Sequence, residues 1–149
     1  MKTFLVLVAF NAVGLQFLHG QDVKPNGQQR KDIAALIDQY SVARETGDTV
    51  LLKQILTTGI DQLVSNGEWR TGIQSAVQGM LRSSTNSPGT RTLRIERIRL
   101  LTSNCAVVDC AYQIGNPDGT SRKMWSAFLV VYARKAWKIS AIRNMLPAK

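Results

Sequence analysis

Few residues in this sequence can act as bases, nucleophiles or metal ligands. Its 149 residues include one histidine, His19, and two cysteines, Cys105 and Cys110. His19 lies in an N-terminal segment that we expect to be cleaved, which leaves a mature chain without histidine. Such a chain lacks the groups for Ser-His or Cys-His catalysis and for a His-containing metal site. We therefore predict no metal and no cofactor.

The two cysteines lie on one predicted strand. At the rise of a strand their Cα atoms would be about 16 Å apart, with side chains on opposite faces. A disulfide needs Cα atoms within about 7 Å. We expect two small buried thiols that do not pair with each other.

Asp109 is the most unusual acidic residue, because it interrupts the apolar run Val107–Ala111. A buried carboxylate needs a partner, and Arg143, in the otherwise apolar last strand, is the candidate. Two interpretations stay open: an Asp109–Arg143 ion pair that only positions strands, or a polar floor that orients a ligand. An unpaired, desolvated Asp109 would have a raised pKa and could act as a base, which makes it a weak catalytic candidate.

The chain is basic, with 19 Lys and Arg against 10 Asp and Glu and a formal net charge of +9. The densest cluster has arginines at positions 91, 94, 97 and 99, which alternate with apolar residues. A surface that binds single-stranded nucleic acid would carry aromatic residues among these charges, and the cluster has none. We predict a solvated strand face and no nucleic-acid partner. Adhesion to an anionic surface is the alternative.

The first 20 residues have the pattern of an export signal. Lys2 precedes an apolar run that ends at Gly20, and the sequence turns polar from Gln21. The run is too short for a comfortable membrane span and is interrupted by polar residues such as Asn11. We expect cleavage after Gly20, export to the periplasm or the exterior, and no integral membrane segment in the mature chain.

Hydrophobic periodicity predicts a polar linker over 21–30 and one domain over 31–147. Helices are expected at 31–46, 49–56 and 73–82, with a short strand at 60–65 and a loop at 83–89. Four strands follow at 91–101, 105–114, 124–133 and 137–146, of which the third should be central. Gly47 and Asp48 are predicted helix caps, and a change of phase between Ile95 and Ile98 predicts a β-bulge. Helices followed by an antiparallel sheet indicate an α+β fold.

This order of elements, together with several residues, resembles the NTF2-like superfamily, specifically its SnoaL-like members (DUF4440, SgcJ/EcaC-type). The resemblance is carried by Tyr40, Gly47-Asp48, the stretch Gly67–Ile73, Trp137-Lys-Ile139 and Arg143–Pro147. It covers residues 31–147, nearly the whole mature chain. It implies an α+β cone in which three N-terminal helices pack on a curved, mainly antiparallel mixed sheet around an apolar pocket.

The isomerases of that superfamily provide a test of activity. Tyr40 stands eight residues before Asp48, as their hydrogen-bonding tyrosine does, but Val64 and Phe128 occupy the positions of their two carboxyl groups. Because the base that would remove a proton is missing, these residues do not support isomerase activity. The dehydratases of the superfamily need a histidine. Activity stays uncertain, and an enzyme of this shape would be isomerase-like or cyclase-like on a small organic substrate.

The resemblance also implies which residues line the pocket. Strand alternation would turn Asp109, Phe128, Tyr132 and Arg143 inward, on the same side as Ala111, Gln113, Ser126, Val130, Ala141 and Met145. Tyr40 would lie above this floor, and Trp69 would lie near the mouth. These residues are the predicted ligand-binding set: Tyr40, Trp69, Asp109, Phe128, Tyr132 and Arg143.

The opposite face of the sheet would then be apolar. It would carry Val108, Cys110, Tyr112 and Ile114 from one strand and Trp125, Ala127, Leu129 and Val131 from the next. Monomers rarely expose so large an apolar patch, and members of the superfamily often dimerise through this surface. A homodimer is therefore expected.

The residues and the resemblance together leave two functions open. The first is a secreted pocket protein that binds a small, largely apolar molecule, with weak or lost enzymatic activity left open. The alternative is a non-catalytic dimerisation or interaction module whose cavity is filled by its own side chains.

The export signal gives the first testable prediction. We expect N-terminal sequencing of the exported protein to begin at Gln21, because the apolar segment is removed on export. Exported protein that begins at Met1 would contradict it.

Overall fold

The computed structural model describes residues 23–148, and the predicted export signal, residues 1–20, lies outside the described residues. The elements along the chain are α1 (Gly27–Thr46), α2 (Thr49–Ile55), β1 (Leu56–Leu63), β2 (Trp69–Thr71), α3 (Ile73–Asn86), β3 (Thr90–Thr102), β4 (Cys105–Gly115), β5 (Ser121–Ala133) and β6 (Ala136–Met145). In this part of the chain, no helix has the length and apolar character needed to cross a membrane.

The six strands form one mixed sheet in the order β2-β1-β6-β5-β4-β3. Only the β1–β6 pairing is parallel, and the other neighbours are antiparallel. The predicted α+β fold and the interior position of β5 are confirmed. The predicted bulge is also confirmed, because the β3–β4 register shifts between Ile95 and Arg97.

Helix α1 begins earlier than predicted, so the expected linker over 21–30 is wrong at its end. The Asn26 side chain accepts a hydrogen bond from the backbone of Gln29, and the Gln29 side chain accepts one from the backbone of Asn26. This capping box satisfies two exposed N–H groups and starts the helix at Gly27. The other end agrees with the prediction, because Gly47 has a φ of 69° and Asp48 caps α2.

Two other boundaries differ from the prediction. The segment 57–59, expected as a break, belongs to β1, which pairs with β6 from Leu56 onward. Helix α3 continues to Asn86 instead of ending at Arg82. Its end is stabilised by Arg91, whose guanidinium donates hydrogen bonds to the carbonyls of Ser83 and Ser87.

The helices cover one face of the sheet, and the core lies between the helices and this face. This helix-covered face takes the even-numbered residues of β4 and β5, including Val108, Cys110, Phe128 and Val130. The inward orientation predicted for the odd residues of β4 is therefore wrong. The odd and the even residues of β4 both include apolar side chains. The even residues have larger apolar side chains and no charge, so their burial is more favourable.

In the C-terminal part of β6, the side chains also lie on the opposite face of the sheet from the one predicted. The β5–β6 register shifts between Leu129 and Val130, and beyond this irregularity Ile142 is the buried residue. Ala141, Arg143 and Met145 consequently lie on the side of the sheet away from the helices. An irregularity of this kind moves every later side chain to the other face.

The two cysteines are unpaired, as their spacing predicts, but the expectation that both are buried is wrong for Cys105. Cys110 is buried under the helices, whereas Cys105 is half-buried and not part of the core. Burial, with a smaller contribution from Asp109, raises the pKa of the Cys110 thiol to about 12. Cys110 therefore stays protonated and unreactive at neutral pH.

Candidate functional site

A cavity of about 250 Å³ opens between the C-terminal halves of α1 and α3, the β1–β2 turn and the end of the helix-covered sheet face. We call it the arginine pocket, because five arginines line it together with one carboxylate, Glu68. The arginines are Arg44, Arg70, Arg82, Arg91 and Arg122. Its other lining residues are mostly small and polar, apart from an apolar wall on β4 and β5.

Arg70 holds one side of the pocket together. It is 4% exposed, and its Nε and one terminal nitrogen donate to the two carboxylate oxygens of Glu68 at 2.9 and 3.2 Å. The guanidinium also donates to Gln62 of β1 at 3.3 Å and to Ser83 of α3 at 2.9 Å. Bidentate pairing with a carboxylate is the strongest arrangement that a guanidinium makes in proteins. Arg70 thereby joins β1, β2 and α3.

Arg44 and Arg91 lie on the opposite side and are 6% and 7% exposed. Arg44 donates to the Tyr40 hydroxyl at 2.9 Å, and Arg91 donates to the carbonyls of Gly89 and Ser87 at 3.0 and 2.8 Å. Within residues 23–148 neither guanidinium lies within 4 Å of a carboxylate, and neither Nε has a hydrogen-bond partner. The two guanidiniums therefore donate only to neutral oxygens, while the Glu45 carboxylate accepts a hydrogen bond from the backbone N–H of Arg91 at 3.1 Å.

Tyr112 lines the same cavity as these two arginines. Burial raises the pKa of Tyr112, although Arg44 and Arg91 act to lower it. Burial lowers the pKa of Arg44, but Tyr40 and Tyr112 raise it by more, so its net shift is upward. Tyr112 is therefore a neutral hydrogen-bond donor and Arg44 a cation at any physiological pH.

Glu68 is not suited to act as a general base. The hydrogen bond from Arg70 lowers the pKa of Glu68, and the charge of Arg82, whose guanidinium lies 3.2 Å away, acts in the same direction. An effective base at neutral pH needs a pKa near 7. Val64, at one isomerase carboxyl position, lines the pocket as an apolar side chain.

The apolar wall of the pocket is formed by Tyr112, Ile114 and Met124. Tyr112 and Met124 are opposite each other on β4 and β5. Deeper under the helices, the space is filled by Phe128 and Tyr40, whose rings meet edge to face with centroids 5.3 Å apart. The space deep under the helices is therefore filled by side chains, whereas the arginine pocket is open.

The predicted Asp109–Arg143 pair does not form. Both residues lie on the face away from the helices, where Asp109 pairs with Arg97 at 3.4 Å and Arg143 pairs with Asp61 at 2.6 Å. Each charge thus has a closer partner on a neighbouring strand. Neither residue lines the arginine pocket.

The other predicted site residues are divided between the two faces. Tyr40 and Phe128 are buried on the helix-covered side, as expected, and Tyr40 reaches the pocket through its hydrogen bond with Arg44. Tyr132 is on the helix-covered face, as expected, but at its edge beside α1 and Trp137, where it is 46% exposed and outside the arginine pocket. Trp69 is 58% exposed, with the Arg143 guanidinium 4.8 Å from its ring centroid. It lies on the outer face and does not line the pocket.

Sequence reasoning misses the arginines that define the pocket. The predicted solvated strand face is wrong for Arg91, which is 7% exposed, and holds for Arg94 and Arg97, whereas Arg99 is half-buried. Arg44 follows Tyr40 by four residues and so shares its buried helix face, which is the one signal that could have identified it.

Solved structures resemble this chain over most of its length. A protein of unknown function from Shewanella oneidensis, described as NTF-2 like, matches with a TM-score of 0.67 and 19% identity over 78% of this chain and 98% of that one. A domain of unknown function with a cystatin-like fold from Nostoc punctiforme has a TM-score of 0.74 and 15% identity, over 84% and 81%. This chain has the NTF2-like fold. The sequence itself matches no family model and no curated protein.

A third structure with the NTF2-like fold comes from Xanthomonas campestris and is described as a candidate calcium/calmodulin dependent protein kinase II association domain. It matches with a TM-score of 0.68 and 17% identity over 89% of this chain and 99% of that one. These likenesses show the NTF2-like fold and do not extend to the SnoaL-like subgroup.

The close packing of Arg70 generates a prediction for Gly79 of α3. A Cβ at Gly79 would overlap the Arg70 side chain, including Cζ at 2.8 Å. Replacing a helical glycine by alanine normally stabilises a helix by up to about 1 kcal/mol. We expect Gly79→Ala instead to lower the unfolding free energy by about 1–3 kcal/mol, because overpacking displaces Arg70.

Gly27→Ala is the matched control for this measurement by urea denaturation. Gly27 is also helical, and a Cβ there would meet nothing within 4 Å. Its unfolding free energy should be unchanged or slightly higher. A stabilised Gly79→Ala variant would show that Arg70 is not held in place.

Proposed function

We propose that this protein binds a small organic molecule in the arginine pocket, against the apolar wall of Tyr112, Ile114 and Met124. The observation that carries the proposal is the pocket itself, which combines an apolar wall with convergent polar groups in a concave space. Such a combination is typical of ligand sites. The export pattern of residues 1–20 supports a role for this binding outside the cytoplasm.

The size of the pocket limits the ligand. Its volume of about 250 Å³ is just below the usual range for drug-sized ligands, about 300–1,000 Å³. Phe128 and Tyr40 fill the deeper space that a larger, largely apolar ligand would need. A single ring or a short branched chain fits these limits better than a steroid-sized molecule.

Binding can be tested with two pairs of probes: phenylacetate with 2-phenylacetamide, and hexanoate with hexanamide. We expect native mass spectrometry to show 1:1 binding of at least one probe. Val64→Trp should weaken that binding by at least about tenfold in calorimetry, a loss of about 1.4 kcal/mol, because the indole would occupy the pocket that Val64 lines.

Val50→Trp is the control, because Val50 is an exposed valine of α2 outside the pocket. Its affinity should equal that of the unchanged protein. The proposal is wrong if none of the four probes binds, or if Val64→Trp binds as well as Val50→Trp.

A second candidate function, self-association, is favoured by the outer face of the sheet. Trp69, Trp125 and Met145 are exposed there, and Trp125 is 46% accessible. Two ion pairs lie on this face, Arg143 with Asp61 and Arg97 with Asp109. Arg94 and Lys123 lie beside Trp125 on the same face. The Xanthomonas campestris neighbour, described as an association domain, supports the same idea.

We propose a homodimer through this outer face, with Trp125 at the contact. Trp125→Asp should give a monomer in analytical ultracentrifugation, because an unpaired carboxylate would have to be desolvated in the interface. Val50→Asp, which adds the same charge to α2, should remain dimeric. An unchanged protein that sediments as a monomer at every concentration would refute the proposal.

A further inference from the structure

We propose that the ligand of the arginine pocket is a small organic carboxylate with an apolar body, and that Arg44, Arg91 and Tyr112 recognise its carboxylate. This inference rests on the proposed function and specifies its ligand. It follows from three features of the pocket: its charge, the incomplete hydrogen bonding of two buried guanidiniums, and the position of its apolar wall.

The charge of the pocket is strongly unbalanced. Five guanidiniums line it, and Glu68, its one carboxylate, is shared by Arg70 and Arg82. Arg122, at the rim, donates to the Ser65 hydroxyl at 2.6 Å. In the part of the chain that the structure describes, the guanidiniums of Arg44, Arg91 and Arg122 make no ion pair with a carboxylate. A pocket lined in this way attracts anions and disfavours cations.

Arg44 and Arg91 are the most informative of these residues, because burial makes an uncompensated charge costly. Both are more than nine-tenths buried, and the Nε of each lacks a partner within residues 23–148. Arg70 shows the alternative, since its guanidinium is fully engaged by Glu68, Gln62 and Ser83. An anion beside Arg44 and Arg91 would supply the compensation that Glu68 gives to Arg70.

Tyr112 joins the cationic side of the pocket to its apolar wall. Its ring belongs to the cluster with Ile114 and Met124, and it lines the pocket together with Arg44 and Arg91. A ligand with its carboxylate at the arginines would therefore extend its body along Ile114 and Met124. Inorganic phosphate could satisfy the arginines but would leave this wall without a partner. The combination favours a carboxylic acid with one ring or a short branched chain.

Calorimetry on the full chain at fixed ionic strength tests the inference with phenylacetate, 2-phenylacetamide and inorganic phosphate as probes. The acid and the amide have nearly the same shape and differ in charge. We expect phenylacetate to bind at least about tenfold more tightly than either other probe, which corresponds to about 1.4 kcal/mol. Arg44→Met should remove most of this preference by weakening phenylacetate binding, while amide binding stays unchanged.

Arg30→Met is the matched control, because Arg30 is an exposed arginine of the same helix, outside the pocket. It removes the same charge and should keep the full preference for phenylacetate. If circular dichroism shows that Arg44→Met does not fold, Arg122→Gln replaces it, with Arg30→Gln as control. Arg122 is exposed at the rim, so we expect a smaller, roughly threefold weakening of phenylacetate binding.

The possible failures can be told apart. Equal binding of phenylacetate and 2-phenylacetamide would overturn the carboxylate inference and leave the binding pocket intact. Phosphate that binds as tightly as phenylacetate would overturn the assignment of an apolar body. An unchanged preference in the folded pocket variant would overturn the role of the arginines. Binding of none of the organic probes, including the hexanoate pair, would overturn the proposed function itself.

Discussion

The pocket depends on the hydrogen bonds of the buried Arg70 guanidinium. Its hydrogen bonds to Glu68, Gln62 and Ser83 tie the β1–β2 hairpin to α3. Without them, β2 would be held mainly by its three residue pairs with β1 at the edge of the sheet. Gly79 makes the arrangement possible, because only a residue without a side chain leaves room for Arg70 against the helix. The position of one glycine thus decides where a wall of the pocket stands.

Arg44 and Arg91 differ from Arg70 in what they contribute. Arg91 stabilises the end of α3 by binding its last carbonyls, where a positive charge is favoured by the helix dipole. Arg44 is held by Tyr40 within its own helix. Both therefore have structural roles that fix their positions, and both keep an unused donor. A charge that is held firmly but compensated only in part is suited to binding, because little reorganisation is needed when an anion arrives.

Local sequence signals predict the fold better than they predict the site. Gly47, Asp48 and the β3 bulge depend on neighbouring residues, and all three are as expected. The orientation of β4 depends on which of two apolar sets is buried by distant helices, and alternation alone does not decide that. The charge of Asp109 favours exposure of the odd set, whereas the family resemblance implies its burial, and the charge is the better guide here. Arg70 and Arg91 escape prediction because a charged residue in an exposed-looking pattern gives no signal of tertiary burial, whereas the spacing of Arg44 from Tyr40 does give one.

The two faces of the sheet offer separate surfaces that share a strand. In β5, Met124 lines the pocket, while the next residue, Trp125, is exposed on the outer face. Self-association through Trp125 therefore leaves the pocket open, because the sheet itself lies between the two sites. The proposed ligand site and the proposed dimer contact are therefore compatible, because they lie on opposite faces of one sheet.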